Sequence, residues 1–313
     1  VKYGLCFLVL WLGQLIIAPP AGATARKHHT PVSEPGEEAA GALSDTRIDP
    51  AKPPAVHAQS VIVIDASDGK VLYEKNADVE RTIASTTKLL TALLIVESGN
   101  LDQEVTVEPI DTVCEPTKLY FKPGEHYDRR SLLFALLVHS CNDVARCLAR
   151  DNAGSIFQFA SKMDQRAHQL GALNSEFANP NGLPSPGEEQ HSTARDLSRI
   201  ARVAYANPLI RQIVDTKTLV FQYADGRTRE FTNTNKVLGR YPLCNGMKTG
   251  YTDAAGHCLV SSAANGNRTV ISVCLGDNQS IWNDSQRLLM WALATKQDDP
   301  HQGTPILAPL SPG

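Results

Sequence analysis

Short apolar runs suited to strands sit at the two ends of the folded part of the chain, and helical periodicity fills the middle. Val61-Ile62-Val63-Ile64 and Val71-Leu72-Tyr73 flank a Gly-containing turn from Asp65 to Lys70, which predicts a β-hairpin. Ile83, Leu90, Leu93 and Leu94 then recur at helical spacing, and residues 85–214 read as mostly helical. Ser131 to Val138 is an apolar run that stops at Ser140, and a helix resumes from Val144 to Arg150. Ser140-Cys141-Asn142 is therefore expected on the link between two helices. Ile156 to Leu170 is amphipathic, Asn179 to Gln190 is a Pro/Gly-rich loop, and Ser192 or Thr193 can cap a helix running to about Tyr205. Strand signals return after Asp215. Leu219 to Tyr223 and Thr228 to Thr232 flank Asp225-Gly226, a hairpin cue. Leu243 to Thr249, Cys258 to Ala263 and Thr269 to Leu275 follow as three more strands, and Ile281 to Ala294 as a last amphipathic helix. Strands at both ends with helices between them predict an α+β fold. Its antiparallel sheet is completed by both termini and flanked by helices. The helical insertion forms a second lobe, with a cleft between.

The ends lack such patterns. Residues 1–25 read as a secretory signal: Lys2 precedes an apolar stretch from Gly4 to Ile17 that is too short for a comfortable membrane span. Ala21-Gly22-Ala23 and Ala23-Thr24-Ala25 are cleavage candidates, and Cys6 lies inside the apolar run rather than at its end, against a lipoprotein anchor. Residues 26–59, punctuated by Pro31, Pro35, Pro50, Pro53 and Pro54, are expected to be a flexible spacer. One folded domain is expected over 60–295, and a Pro-rich, disordered tail over 296–313. The protein is expected outside the cytoplasmic membrane, in the periplasm or the cell-wall space. A net charge of −3, scattered over 313 residues, gives no reason to expect nucleic-acid binding.

Candidate chemistry centres on Ala84-Ser85-Thr86-Thr87-Lys88. Three residues apart on a helix, Ser85 and Lys88 share a face. A serine hydroxyl needs a base beside it to become a nucleophile, and a lysine can be that base where desolvation lowers its pKa. The same spacing at Ser67 and Lys70, on the hairpin turn, shows that this pattern alone is weak. Two later motifs strengthen it. Ser140-Cys141-Asn142 begins 55 residues after Ser85, and Lys248-Thr249-Gly250 begins 108 residues after Ser140. This ordered set resembles that of penicillin-binding proteins and class A β-lactamases. Phe121-Lys122-Pro123-Gly124-Glu125, Phe177 to Leu183, Ser192 to Leu197 and Met247 to Thr252 narrow the resemblance. They look like D-alanyl-D-alanine carboxypeptidases, the low-molecular-mass penicillin-binding proteins, from roughly Ser60 to Ala294.

The resemblance implies a serine β-lactamase/DD-peptidase-like fold and a serine peptidase that trims peptidoglycan stem peptides through an acyl-enzyme. β-Lactams would be its covalent inhibitors. Ser85 would be the nucleophile and Lys88 its base. Ser140 would relay a proton to the leaving amine, and Asn142 would hold Lys88 and the substrate amide. Lys248 and Thr249 would meet the substrate carboxylate, Gly250 would let substrate backbone lie close, and the N–H groups of Ser85 and Tyr251 would form the oxyanion hole. Arg195, in a stretch that supports the cleft in the family, is a further candidate at the substrate site. Relatives often carry an arginine before the aromatic that opens the last helix; here that position is Ile281, before Trp282, which puts strict carboxypeptidase action in question.

A DD-endopeptidase that cuts cross-links is the near alternative. A class A β-lactamase would need a Glu-x-x-Leu-Asn loop for its deacylating water, and none is found. A non-catalytic β-lactam sensor would need a membrane span beyond the signal. No cofactor is expected, and no metal, since neither zinc-type cysteine spacing nor His-Glu-x-x-His occurs. The second β-domain and anchoring helix of many relatives have no counterpart here, so no C-terminal membrane anchor is expected. Six of the seven cysteines would remain after signal removal, an even count that points to disulfides in an exported protein. Cys244, Cys258 and Cys274 could equally be small core residues on strands, and Cys141 is expected to be a free thiol at the cleft edge.

Overall fold

The computed structural model describes residues 48–184, 187 and 189–295; the expected signal and tail lie outside them. Strands β1 (Ser60–Asp65) and β2 (Val71–Lys75) form the first hairpin. A short 3₁₀ turn, Ala84–Thr87, leads into α1 (Lys88–Glu97). A small hairpin of β3 (Glu104–Thr106) and β4 (His126–Asp128) precedes α2 (Arg129–Val138), α3 (Asn142–Ala153) and α4 (Ile156–Gln169). Next come α5 (Ala194–Ala206), α6 (Pro208–Asp215) and the hairpin of β5 (Thr218–Gln222) and β6 (Thr228–Thr232). A single turn, α7 (Val237–Arg240), leads to β7 (Cys244–Thr252), β8 (Gly256–Asn265), β9 (Arg268–Asp277) and α8 (Ile281–Ala294).

One antiparallel five-stranded sheet, in the order β2-β1-β9-β8-β7, joins the two ends of the domain. β1 pairs along its whole length with β9, Ser60 opposite Leu275 and Asp65 opposite Val270. Both faces of the sheet are covered, which is why β1 is a continuous apolar run. Ile62 and Ile64 enter the core shared with α1 and α5, whereas Val61 and Val63 pack with Leu288, Leu289 and Trp291 of α8. In α5, Leu197, Ile200, Ala201 and Ala204 form the stripe turned to the core. Burying each large aliphatic side chain stabilises the fold by about 1.5–3 kcal/mol. Thr193 caps α5, its hydroxyl accepting from Asp196 N at 3.0 Å.

Four expectations need correction. Asn142 is the first residue of α3, so only His139, Ser140 and Cys141 make the link from α2. Residues 57–59, expected to be spacer, belong to the fold. Ala58 is fully buried, the N–H groups of His57 and Ala58 both donate to Asp284 of α8, and Gln59 N donates to Leu275 O. All six described cysteines are free thiols. Five of them fill core positions, and Cys141 is fully buried rather than at an edge. Burial and the neighbouring Asp143 push its thiol well above the usual range.

Candidate active site

Ser85 sits in the 3₁₀ turn and Lys88 is the first residue of α1. In a 3₁₀ turn residues i and i+3 eclipse, so the two side chains converge. Lys88 Nζ lies 2.7 Å from Ser85 Oγ, 2.7 Å from Asn142 Oδ1 and 2.9 Å from Asn181 O. The lysine is fully buried. Burial, then the charge of Lys248, hold its pKa well below the usual lysine value. A neutral amine has two N–H donors and one lone pair. Asn142 Oδ1 and Asn181 O can only accept, so they take both N–H groups. Of the three partners only the Ser85 hydroxyl carries a proton that such a lone pair could take; in this structure that hydroxyl donates to Asn181 O at 3.3 Å.

Each partner is fixed from behind. Asn142 Nδ2 donates to Glu115 O at 3.0 Å and Asn142 N to Thr117 O at 2.7 Å, which sets the amide with Oδ1 towards Lys88. The Asn181 carbonyl was not foreseen as part of the site. It is presented by an Asn-Pro-Asn-Gly turn in which Asn179 Oδ1 accepts from Gly182 N at 2.8 Å. The turn packs so tightly that a Cβ on Gly182, at φ +78°, would lie 2.0 Å from Ala84 O. Thr91 Oγ1 donates to Pro180 O at 2.7 Å, tying the same turn to α1.

Ser140 lies on the link before α3 with φ +66° and is buried. Beside it, Asp143 accepts from the N–H groups of Leu119 and Tyr120, each at 2.9 Å. From the other side comes β7. Lys248 is buried and donates to Thr249 O at 2.9 Å; burial lowers its pKa to about 7. The charge of Lys248 adds to burial in lowering Lys88. Thr249 Oγ1 is 2.7 Å from Thr234 Oγ1. A Cβ on Gly250 would come 2.9 Å from Ser85 N, so this strand and the serine turn touch through backbone. Tyr251 follows, partly exposed, its ring tilted against His257 with centroids 4.5 Å apart.

Three other sequence candidates lie elsewhere. Arg195 is engaged by Asp78 at 2.6 and 3.0 Å and by Glu74 at 2.7 Å, which ties α5 to the end of the first hairpin rather than to this cluster. Ser67 donates to Asp65 Oδ1 at 2.6 Å in its turn, as a local cap. Ile281 is buried in the core on the α8 face of the sheet.

The family model for D-alanyl-D-alanine carboxypeptidase matches residues 48–279. The chain is 37% identical over 242 residues to the D-alanyl-D-alanine carboxypeptidase DacB2 of Mycobacterium tuberculosis, across 76% of this chain and 82% of that one. It is 33% identical over 240 residues to a D-alanyl-D-alanine endopeptidase of Pseudomonas aeruginosa, across 74% and 76%. Among solved structures, a D-alanyl-D-alanine carboxypeptidase from Mycobacterium tuberculosis superposes with a TM-score of 0.77 at 34% identity, covering 82% of this chain and 97% of that one.

Proposed function

The chain belongs to the D-alanyl-D-alanine carboxypeptidase family, and from that premise we propose that Ser85 is the nucleophile through which it hydrolyses the terminal D-Ala–D-Ala bond of peptidoglycan stem peptides. It is a serine-type D-Ala-D-Ala carboxypeptidase. The observation that carries the assignment of Ser85 is the contact of a buried, neutral-leaning Lys88 with Ser85 Oγ at 2.7 Å.

Ser85 Oγ attacks the carbonyl carbon of the penultimate D-Ala while its proton passes to the Lys88 lone pair. The charge that develops on the carbonyl oxygen is met by backbone N–H groups of Ser85 and Tyr251. As the C–N bond breaks, Lys88 returns the proton through the Ser140 hydroxyl to the departing amine. Water then cleaves the ester with Lys88 again as base. Lys248 and Thr249 hold the carboxylate next to the departing amine, and Asn142 keeps Lys88 in place. A β-lactam enters the same path and stays on the serine.

The experiment is covalent labelling. The protein is incubated with a labelled penicillin and the adduct mapped; Ser85→Ala abolishes the label while the protein stays folded. Label on Ser67 instead would overturn the assignment. A second reading, cleavage of D-Ala–diaminopimelate cross-links, is favoured by the burial of Ile281 where the resemblance led to an arginine for a terminal carboxylate. The signal-like stretch over residues 1–25 supports action outside the cytoplasmic membrane, which fractionation of labelled cells would test.

A further inference from the structure

Two cavities border segments that carry the site. One, of about 430 Å³, is lined by Ile83, Ala84, Gly182, Thr252 and Ala254 among others, next to the serine turn and the end of β7. The other, of about 380 Å³, is lined by Tyr120, Tyr223, Arg227, Thr228 and Arg229. This second cavity is built onto the Ser140 and Lys248 side. Tyr120 N is held by Asp143, one residue from Asn142, and Tyr223 Oη donates to Leu119 O at 2.7 Å. Phe231 stacks against His139, which precedes Ser140, with centroids 4.4 Å apart. Thr234 binds Thr249. In the reaction above, Ser140 serves the departing amine and Lys248 and Thr249 the carboxylate beside it, so the cavity is joined to the segments that handle the departing group.

The β5–β6 hairpin end that lines this cavity is furnished for an anion. Arg229 lies over Phe231 at 4.8 Å and Arg227 over Tyr223 at 4.9 Å, so both guanidinium planes are supported by aromatic faces. Arg227 is paired with Asp225 at 2.7 Å. Among the described residues no carboxylate lies in ion-pair range of Arg229. The arginine's charge also reaches inward, helping to lower His139. Exposed Tyr120, at φ +63°, supplies the opposite, apolar wall.

We propose that this cavity is a subsite for an acidic departing peptide: the second stem of a peptidoglycan cross-link, bound through a carboxylate remote from the scissile bond. The inference rests on the peptidase reading above and specifies its substrate. When a cross-link is cut, the Ser85 ester forms on the donor D-Ala carbonyl. The C–N bond to the side-chain amine of the second stem breaks, and that amine takes the proton from Lys88. The carboxylate beside the amine is common to both substrates and goes to Lys248 and Thr249. Carboxylates farther along the second stem belong to the cross-linked substrate alone, and Arg229, then Arg227, receive them.

Arg227→Gln and Arg229→Gln, singly and together, are compared on a monomeric pentapeptide and on a cross-linked dimer. Each loss lowers kcat/KM on the dimer roughly fivefold, mainly through KM, while the pentapeptide changes by less than about twofold. A dimer amidated at the remote carboxylates of its departing stem is cut equally by wild type and variants. Equal loss on both substrates, no loss on the dimer, or a wild-type enzyme that releases D-Ala but leaves dimers intact each overturns the subsite while leaving the peptidase reading standing. A chain that takes no penicillin at Ser85 overturns that reading, and the subsite with it.

Discussion

Replacing Lys248 by Met should make the protein more stable and less active. The side chain is fully buried, and burial lowers its pKa from 10.5 to about 7. At about 1.36 kcal/mol per pKa unit, that difference corresponds to roughly 5 kcal/mol between folded and unfolded chains. The folded pKa of a base is depressed here, so the unfolded state holds the proton up to pH 10.5 while the folded state releases it near 7. Between those values the unfolded chain binds more protons, and wild-type stability rises with pH. The penalty is complete below about pH 7 and absent above 10.5. Met is similar in length and carries no charge. It escapes the penalty and loses only the bond from Nζ to Thr249 O, worth about 1 kcal/mol. Taking a like charge away from Lys88 acts in the same direction. A net gain of about 2–4 kcal/mol is expected near pH 6.5, narrowing steadily towards pH 10. Guanidinium unfolding of both proteins at three pH values measures it. Release of D-Ala from a pentapeptide should fall by roughly 10²-fold in the same variant. A lower unfolding midpoint for Lys248→Met at pH 6.5, or a gap that stays constant as pH rises, would refute the reasoning.

Two further predictions follow from the geometry around Ser85. Lys88→Arg keeps the charge but cannot release a proton, so penicillin acylation should slow by roughly 10²–10⁴-fold, whereas wild-type acylation climbs a limb set by the lowered Lys88 pKa; near wild-type speed in the variant would remove Lys88 as the base. Gly182→Ala places a Cβ 2.0 Å from Ala84 O at φ +78°, and should destabilise the protein by about 3 kcal/mol and slow acylation as the serine turn shifts; an unchanged melting temperature would show that the turn gives way freely.

The parts of this molecule that could be read from sequence are those in which period and position carry the information. Apolar runs at both ends gave a sheet closed by the termini because β1 is buried on both faces and can only be central. The Ser85–Lys88 spacing holds although Ser85 lies in a 3₁₀ turn and not in the helix, since three residues bring side chains together in either geometry. β3 and β4, three residues each, are too short for alternation to show. The even cysteine count pointed to disulfides, yet burial rather than pairing explains thiols such as Cys258 and Cys274, both fully desolvated on strands.

What stayed hidden shares one physical cause: it depends on backbone groups or on partners far along the chain. Arg195 meets carboxylates 117 and 121 residues away, and no local pattern distinguishes that tie from a substrate contact. His57 and Ala58 read as spacer because the acceptor of their N–H groups, Asp284, lies more than two hundred residues on. Asn181 contributes a carbonyl, which every residue has, so its identity signals the Asx turn and not the proton chemistry. Yet that carbonyl meets both side chains, accepting from Lys88 Nζ at 2.9 Å and from Ser85 Oγ at 3.3 Å. With Asn142 Oδ1 and Asn181 O as its other acceptors, the Lys88 amine is held against Ser85 Oγ before substrate arrives. The Gly182 turn that delivers the carbonyl also packs on Ala84, so the same few residues position Ser85 and Lys88.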